Sequence, residues 1–419
     1  MRNSSIKIII LGLFCTTLGF AKQNSEKITI PFYVPSGVTS EMSRLYNNIV
    51  RDFERNNPNI DVLFKPKNNY GGVLTEVLRI TKNKKSAGVA IVELSELPTL
   101  VNKNAVIPYN GFLNKEPNIL KTFIPKFLKN SYGNNGKIYG LPIFRSTPSI
   151  FYNMDMLKEA GIKHSDLPKN WKELKNILTI LKNNNNQIPL YLAPEWYDWL
   201  FESFVFQSGG SLSNSNNTNV QFDHFATIEA LSFWKELIDE KLMIKRSASW
   251  KSTINVFNSQ KYPIIYYSTG GMGKLLKDAN FNWTTTLMPK NKNYGTTVGA
   301  ASIFLSNYMT KDEEKAAWKL VKYLESEPIQ IKLSMKSGYL PVIKSAFENN
   351  KLKTRYETDQ FKNIKKQLSY AYPKIMIPNY SQIRVVLKNA IDRSLDKGMD
   401  PEKSLKIAQK EAEKILNIK

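Results

Sequence analysis

The first hundred residues alternate short apolar runs with segments in which apolar residues recur every four positions. The run "KITIPFY" predicts a strand, and Leu45, Ile49 and Phe53 mark one face of the helix that follows. That helix is predicted to begin at Ser40, a residue suited to an N-cap. The run "IDVLFK", a helix over Leu74–Thr81 and the strand "GVAIVEL" then complete a β-α-β-α-β order. Such an order predicts a doubly wound parallel sheet.

The remainder of the chain carries the pattern of a second α/β lobe. Two strand-like pieces, "YGLPIF" and "SIFYN", meet at "RSTP" within Tyr139–Asn153, and the long stretch that follows mixes helices with strands. The run "GTTVGAASIFLS" predicts a further strand, and Thr310 with Glu313 predicts a capping box that opens a helix. Asparagine-rich segments, Asn183–Gln187 and Asn214–Asn219, predict loops. We therefore expect an α/β protein of two lobes.

Residues 1–21 have the composition of a secretory signal peptide. Arg2 and Lys7 form a short basic start, the apolar stretch "IIILGLFCTTLGFA" follows, and cleavage is expected near Ala21. The apolar stretch is shorter than the roughly 20 residues that a membrane span needs. The only cysteine, Cys15, lies inside this segment, so the mature chain is expected to have no disulfide. The predicted location is the periplasm.

The chain is strongly basic, with a formal net charge of +23 that becomes +21 once Arg2 and Lys7 are removed. A nucleic-acid partner is one interpretation of such a charge. We favour solvated surface lysines instead, because the lysines are spread over the whole chain beside asparagine tracts such as Asn183–Asn186. No stripe of basic residues interleaved with aromatic residues is present. We therefore expect no nucleic-acid partner.

The usual sequence signatures of catalysis and metal binding are missing. Two histidines, and no cluster of histidine and acidic residues at ligand spacing, predict no metal site and no cofactor. The glycine-rich Ser268–Lys274 lacks the P-loop spacing, and no G-x-S-x-G motif occurs. Two carboxylate pairs, Glu93/Glu96 and Glu195/Asp198, keep a secreted glycoside hydrolase open as an alternative. Their short spacings suit one loop or one helix face better than two sides of a glycosidic bond.

The segment "KSGYLPV" places a tyrosine on a stiff turn after a predicted helix over Pro328–Lys336. Gly338 is expected to end that helix in the left-handed conformation, and Pro341 prevents a restart. Neither residue explains Tyr339, whose bulky ring with a polar tip is expected to be half exposed there. The position suggests a ring held to touch something outside the local turn.

Several motifs resemble the extracellular solute-binding proteins of ABC importers (family 1), over nearly the whole mature chain. The stretch "YGLPIFRSTPSIFYNMDMLKEAGI" is similar to the passage between their lobes, and "LPKNWKELK" to the motif that follows it. The runs "KYPIIYYSTGGMG", "VGAAS" and "MKSGYLPVIKSAF" resemble the cleft strand, the crossover back and the "TGYLP" segment. Within the family the members that bind sn-glycerol 3-phosphate look most similar, because "IPFY", "NY", "STP", "SGYLP" and "QIRVVL" have counterparts in them.

This resemblance implies a periplasmic binding protein fold of type II, with two lobes and the ligand in the cleft between them. The first lobe would comprise residues 27–143 and 300–343, and the second residues 144–299 and 344–419. The implied protein is not an enzyme. It is a monomer that closes by hinge motion around a small-molecule ligand and docks on the permease subunits of an ABC importer.

The resemblance also implies ligand contacts, position by position. The residues that match motif positions are Tyr70, Ser146, Ser268, Ala300, Tyr339 and Arg384. Ala300 stands where the family has a glycine. Glu93 lies one residue from the family's acidic position, which leaves Glu96 as another possibility. Trp196 and Trp199 fall where the family has paired tryptophans, and core packing on one helix face is the alternative for them.

The implied ligand is an anion rich in acceptor oxygens, for which tyrosine and serine hydroxyls are suitable donors. The guanidinium of Arg384 could bind two phosphate oxygens at once, and a salt bridge is its alternative role. Arg145 departs from the family pattern, and either adds a second cation or faces solvent. We expect sn-glycerol 3-phosphate or a glycerophosphodiester such as glycerophosphocholine, with a neutral oligosaccharide of the maltose or trehalose type as the alternative.

Overall fold

The computed structural model describes residues 27–36, 40–185, 187–193, 195–246 and 250–418. The predicted signal peptide lies outside the described residues. The strands are β1 (Ile28–Pro35), β2 (Ile60–Lys67), β3 (Val89–Glu93), β4 (Gly140–Ser146), β5 (Pro148–Asn153), β6 (Leu190–Leu192), β7 (Met243–Lys245), β8 (Ile264–Ser268), β9 (Trp283–Thr286), β10 (Thr296–Thr297), β11 (Gly299–Leu305) and β12 (Ala371–Tyr372).

The helices cover the sheets and connect their strands. They are α1 (Ser40–Asn56), α2 (Tyr70–Lys82), α3 (Leu97–Asn102), α4 (Asn110–Leu113), α5 (Ile119–Thr122), α6 (Met154–Glu159), α7 (Trp171–Asn185), α8 (Tyr197–Gln207), α9 (Phe225–Asp239), α10 (Trp250–Asn258), α11 (Met272–Asp278), α12 (Lys311–Leu324), α13 (Glu327–Lys336), α14 (Lys344–Glu348), α15 (Asn350–Glu357), α16 (Lys362–Gln367), α17 (Tyr380–Leu395) and α18 (Pro401–Ile415). None of the helices described is both long enough and apolar enough to cross a membrane.

The local patterns in the sequence account for most of these elements. Leu45, Ile49 and Phe53 of α1 are all buried, as the four-residue recurrence predicts. The capping box at α12 is confirmed: the Glu313 carboxylate accepts from the Thr310 N–H at 2.6 Å, and the Thr310 hydroxyl accepts from the Glu313 N–H at 3.2 Å. The segment Asn183–Gln187, predicted to be a loop, is partly helical, since α7 continues to Asn185.

The strands form two five-stranded sheets and one small ribbon. The first sheet has the order β2-β1-β3-β11-β4, the second has the order β7-β6-β8-β5-β9, and β10 pairs with β12. In the first sheet β1 is parallel to β2 and β3, as predicted, but β11 is antiparallel to both β3 and β4. The parallel arrangement predicted from the β-α-β-α-β order is therefore confirmed for β1, β2 and β3, and β11 adds an antiparallel strand to the same sheet. The chain returns to this sheet from the second one, and its direction there is set by that distant connection.

The chain passes between the two sheets at points that lie side by side. β4 of the first sheet leads to β5 of the second through Thr147, and the return path runs from β9 of the second sheet through the ribbon strand β10 and Val298 to β11. A third segment of the chain lies beside them, because the backbone of Leu340 exchanges two hydrogen bonds with Arg145 at 2.7 and 3.2 Å. The exact lobe boundaries stay a prediction. These passages place the carboxyl ends of β3 and β4 beside the amino end of β11, at one edge of the first sheet.

Candidate functional site

A cavity of about 390 Å³ lies at this edge of the first sheet, facing the start of α8. It is lined by Asn68, Asn69, Tyr70, Gly71, Glu93, Ser146, Glu195, Trp196, Trp199, Gly299, Ala300, Tyr339, Lys374 and Arg384. Eight of the ten residues proposed from the sequence are in this set, and Ser268 and Arg145 are not. Strand pairing explains part of the convergence, since Gly299 lies opposite Ser146 and Ala301 lies opposite Glu93.

The N-terminus of α2 forms one wall of the cavity. Asn69 caps this helix, because its side-chain oxygen accepts from the Gly72 N–H at 2.9 Å. Tyr70 follows as the first helical residue, and its hydroxyl is buried. Burial, followed by the neighbouring Tyr339, raises the pKa of Tyr70 well above its usual value. The two tyrosine hydroxyls are close enough to affect each other's pKa, although the Tyr70 hydroxyl meets no partner in hydrogen-bond geometry.

Tyr339 packs its ring into the protein and lines the cavity. The ring is 4.2 Å from that of Phe144, centroid to centroid, and the residue is only 4% exposed. The expectation of a half-exposed ring is therefore wrong. Burial, opposed by Tyr70, raises the pKa of Tyr339 to about 12. A buried tyrosine whose hydroxyl borders a cavity can serve as a neutral donor there.

Gly338 is required by close packing rather than by a left-handed turn. It is not among the residues with positive φ, so the predicted left-handed helix end is wrong. A Cβ at this position would lie 1.7 Å from the Thr269 carbonyl oxygen, which no rearrangement of a side chain could relieve. The Gly338 N–H instead donates to the Gly270 carbonyl at 3.3 Å. The glycine thus lets the chain beside Tyr339 approach the second sheet closely.

The two tryptophans form a wall of the cavity, and they do not share a helix face as the alternative reading assumed. Trp196 is the residue before α8, with φ −138°, and Trp199 lies in its first turn. Their ring centroids are 5.8 Å apart at an interplanar angle of 59°. Gly299 allows Trp199 its position, because a Cβ there would lie 2.5 Å from the indole ring. Both rings are mostly buried and also belong to the core, so packing and cavity lining are combined.

Ala300 has a backbone conformation that disfavours any residue except glycine. Its φ is +90°, in the region where the Cβ of an L-residue is crowded by the backbone. The residue is the second of β11, and its partner in β4 is Arg145. The position where the family has a glycine is therefore one that physically calls for glycine. Ala300 is held there at a cost in strain.

Arg384 borders the cavity, but its guanidinium already holds a carboxylate. Its Nε is 2.7 Å from Asp198 Oδ2 and its NH2 is 3.0 Å from Oδ1, while NH2 also donates to the Glu195 carbonyl at 2.8 Å. Burial alone would raise the pKa of Asp198, but Arg384 outweighs it and lowers that pKa below its usual value. The Asp198 charge likewise raises the pKa of Arg384. The salt bridge considered from the sequence as an alternative is thus present.

Lys374 is a functional candidate that the sequence motifs did not reveal. Its ammonium lies 2.7 Å from Glu93 Oε1, and its side chain is 7% exposed although it lines the cavity. Burial by itself lowers the pKa of Lys374, but attraction by Glu93, Tyr380 and Asp198 outweighs burial and raises the pKa. Because lysines occur throughout the chain, no sequence motif distinguishes Lys374 from the others. A lysine inside the run "YPKIMIP", where the other side chains are apolar or proline apart from one tyrosine, is the only available signal.

Arg145 is wholly buried, so the reading in which it faces solvent is wrong. Its guanidinium donates to the carbonyls of Phe144 at 3.0 Å, Phe127 at 3.1 Å and Ala301, and to the Ser302 hydroxyl at 3.2 Å. Burial lowers the pKa of Arg145 to about 9. Because these acceptors lie on several chain segments, Arg145 connects the segment around Phe127 with β4 and β11.

The two serines proposed from the motifs differ in position. Ser146 ends β4 and lines the cavity. Ser268 ends β8 and lies outside the lining set, where its hydroxyl accepts from the Gly270 N–H at 3.0 Å and caps a short turn at Thr269–Gly271. A ligand role for Ser268 remains a proposal, with capping as the role its hydrogen bond supports.

Three of the four carboxylates considered for a hydrolase are held by other groups. Glu93 is paired with Lys374, Asp198 with Arg384, and Glu96 accepts from the Ser381 hydroxyl. Burial raises the pKa of Glu96, although Ser381 opposes the effect. Among the described residues no group of three or more histidine, cysteine or acidic residues could hold a metal ion. The cavity therefore resembles a binding site with fixed charges more than an acid–base pair.

Comparison with known proteins agrees with this geometry. The family described as bacterial extracellular solute-binding protein matches residues 48–360 of the chain. The sn-glycerol-3-phosphate-binding periplasmic protein UgpB of Yersinia pestis bv. Antiqua (strain Antiqua) is 24% identical over 420 residues, covering 94% of this chain and 93% of the relative. The resemblance to extracellular solute-binding proteins, and within them to the sn-glycerol-3-phosphate-binding members, is thereby confirmed.

Solved structures show the same fold. The GacH receptor of Streptomyces glaucescens GLA.O has a TM-score of 0.82 at 19% identity, with 94% of this chain and 100% of that chain covered. UgpB from Mycobacterium tuberculosis, solved in complex with glycerophosphocholine, has a TM-score of 0.82 at 17% identity, with 93% and 98% covered. The predicted two-lobe fold of periplasmic binding proteins is confirmed.

Proposed function

Since the chain belongs to the family of bacterial extracellular solute-binding proteins, we propose that it is the periplasmic substrate-binding component of an ABC importer that captures sn-glycerol 3-phosphate or a related glycerophosphodiester. The observation that carries the proposal is the cavity, which combines hydroxyl donors, aromatic walls and two cationic side chains. Its volume of about 390 Å³ lies in the range of small-molecule sites.

The lining supports a ligand with both acidic oxygens and hydroxyl groups. Tyr70, Tyr339 and Ser146 are donors for phosphate oxygens, and Lys374 and Arg384 supply positive charge. The Glu93 carboxylate offers acceptor oxygens to glycerol hydroxyls. A polyol phosphate presents both kinds of group within a few bonds, so one small molecule could satisfy the whole set.

A neutral oligosaccharide is the second candidate, and the tryptophan pair favours it. The Trp196 and Trp199 rings form a mostly buried aromatic wall, which suits the apolar face of a sugar ring. A neutral sugar brings no charge, so it would leave Lys374 and Arg384 with only their ion pairs to Glu93 and Asp198. The phosphate ester accounts for more of the site and is preferred for that reason.

Calorimetric titration of the purified protein with sn-glycerol 3-phosphate, glycerophosphocholine, maltose and trehalose tests the ligand class. We expect one phosphate ester to bind per chain. A ligand concentration of a hundred times the dissociation constant should raise the free energy of unfolding by about 2.7 kcal/mol. Binding of maltose or trehalose alone would move the assignment to an oligosaccharide. Product analysis on the same samples should recover the ligand unchanged, and repeated turnover would instead support a hydrolase.

A further inference from the structure

We propose that the Lys374 ammonium, and not the Arg384 guanidinium, is the charged donor that binds the anionic group of the ligand. The inference rests on the proposed function and specifies which residue of that site recognises phosphate. Lys374 is the more enclosed of the two cations that line the cavity, with its side chain 7% exposed against 37% for Arg384. A charge held away from water interacts more strongly with a ligand anion.

The ammonium of Lys374 has hydrogen-bonding capacity left over. It carries three N–H donors, and one carboxylate oxygen, Glu93 Oε1 at 2.7 Å, is its ion-pair partner in the described residues. The ring of Tyr380 also lies beside the ammonium, with its centroid 4.8 Å from the nitrogen. An oxyanion that entered the cavity could therefore take the remaining donors without displacing Glu93.

The backbone fixes this lysine in place on both sides. The Lys374 carbonyl accepts from the Asn130 side-chain amide at 2.9 Å, and the next N–H, that of Ile375, donates to the Glu202 carboxylate at 2.7 Å. β12 immediately before it pairs with β10. A donor that is already positioned loses little freedom on binding, so more of its interaction energy appears as affinity.

Arg384 is in the opposite situation. Two of its nitrogens form the fork that holds Asp198, and one of them also serves the Glu195 carbonyl. The Asp198 side chain is 2% exposed. A phosphate that took over the fork would leave that carboxylate buried without its counter-charge, which is strongly destabilising. Arg384 is therefore better suited to hold Asp198 and the first turn of α8 in position than to exchange Asp198 for a phosphate.

The pairing of Lys374 with Glu93 also predicts what kind of anion fits. A hydroxyl donor next to the bound oxyanion would meet the Glu93 carboxylate, which lines the same cavity. The two side chains therefore form a subsite for an oxyanion with a hydroxyl group close by, as in a polyol phosphate. A neutral sugar could accept hydrogen bonds from the ammonium, but it would gain no charge–charge attraction there.

Calorimetric titration with sn-glycerol 3-phosphate tests the assignment. We expect Lys374→Met to weaken binding about ten- to a hundred-fold, the usual effect of losing a charge-assisted hydrogen bond, and Arg384→Lys to weaken it less. Lys397→Met removes one positive charge at an exposed position and should leave the affinity unchanged. Higher salt should weaken binding to the wild type more than to Lys374→Met, which a purely structural role of Lys374 would not produce.

The double variant Lys374→Met/Glu93→Gln removes both buried charges, so it protects against loss of folding by an unpaired Glu93. A crystal structure of the wild type with sn-glycerol 3-phosphate gives a direct second readout, with a phosphate oxygen expected within 3.2 Å of Lys374 Nζ. Wild-type affinity in both Lys374 variants, or a bound phosphate on Arg384 alone, overturns the inference while leaving the proposed function intact. Failure of the wild type to bind any phosphate ester overturns the proposed function itself.

Discussion

Tyr339 illustrates how one side chain can serve the core and the cavity together. Its ring packs on Phe144, while the residue also lines the cavity beside Tyr70. Removing only the hydroxyl should therefore separate the two roles. We expect Tyr339→Phe to keep its melting temperature within a few degrees and to weaken ligand binding by about 1–3 kcal/mol, the cost of an unmet buried polar partner.

The matched control is Tyr109→Phe, measured by the same calorimetry and thermal unfolding. The Tyr109 hydroxyl donates to the Ile303 carbonyl at 3.1 Å, inside the core and outside the cavity. Loss of the Tyr109 hydroxyl should lower the melting temperature and leave the affinity for the ligand unchanged. If Tyr339→Phe behaves like Tyr109→Phe, the hydroxyl of Tyr339 has no part in ligand binding.

Ala300 offers a prediction about backbone strain. Because its φ of +90° crowds the Cβ, Ala300→Gly should raise the free energy of unfolding by about 1 kcal/mol, even after the extra freedom that glycine gives the unfolded chain. Urea denaturation measures the change. Ala301→Gly is the control in the same strand, at a buried position without positive φ, and should lower stability by about 1 kcal/mol. Equal losses in both variants would show that Ala300 is not strained.

At the scale of elements, the connections that surround the cavity depend on a buried arginine. Arg145 donates to the carbonyls of Phe127 and of Ala301 in β11, and its own backbone pairs with Leu340. We expect Arg145→Met to lower the free energy of unfolding by roughly 2–4 kcal/mol, because several buried acceptors lose their donor. Arg79→Met, at an exposed helix position, should change it by less than about 0.5 kcal/mol in the same urea titration. An Arg145 effect as small as that of Arg79 would rule out this tying role.

Helix α8 provides a prediction about pH, through Glu202. This residue is buried, and its carboxylate accepts from the Ile375 N–H at 2.7 Å and the Thr297 hydroxyl at 3.3 Å. Burial raises the pKa of Glu202 to about 8 in the folded protein, from a usual value of 4.5. Between these values the unfolded chain has released a proton that the folded chain still holds. Stability should therefore fall as pH rises from about 4.5 to 8, and this contribution should level off above that.

Glu202→Gln resembles the protonated side chain and should remove this dependence. We expect wild type and variant to have similar stability near pH 5, and the variant to be more stable near pH 8 by at least about 1 kcal/mol, given about 1.4 kcal/mol per pKa unit. Glu348→Gln, at an exposed position, controls for the charge change. Parallel stability curves for wild type and Glu202→Gln would contradict the raised pKa.

The same elements show what local sequence patterns can and cannot specify. The β1-α1-β2-α2-β3 order was readable because each amphipathic face is a local property, and Leu45, Ile49 and Phe53 all lie in the core. The direction of β11 was not readable, because it depends on where the chain returns from the second sheet. Helix α8 has no solvent-exposed face, since all of its residues, Tyr197–Gln207, are buried, polar ones included.

At the scale of the whole molecule, the cavity is an assembly of segments that are remote in sequence. Motif resemblance found the residues that lie within recognisable strings, such as Tyr339 in "SGYLP". It could not find Lys374, whose role depends on Glu93 being 281 residues away along the chain and 2.7 Å away in space. It also left open whether Arg384 binds phosphate or forms a salt bridge, because the ion pair with Asp198 spans 186 residues and leaves no local trace.

The last prediction concerns closure of the molecule around its ligand. The cavity is lined from the first sheet by Ser146 and Ala300 and from the opposite side by Trp196 and Trp199, so a ligand that contacts both sides should favour the closed arrangement. We expect the radius of gyration from small-angle X-ray scattering to decrease when sn-glycerol 3-phosphate is added at saturating concentration.

Gly299→Ala is the variant that separates closure from non-specific effects of the ligand. A Cβ there would lie 2.5 Å from the Trp199 ring, so the ring must shift and disturb the wall of the cavity. This variant should show little binding and no change of its radius of gyration at the same ligand concentration. Gly111→Ala, where an added Cβ meets nothing within 4 Å, should respond like the wild type. A wild-type radius that stays constant while calorimetry shows a saturated site would mean that the ligand enters a cavity already closed, and that the passages between the two sheets do not act as a hinge.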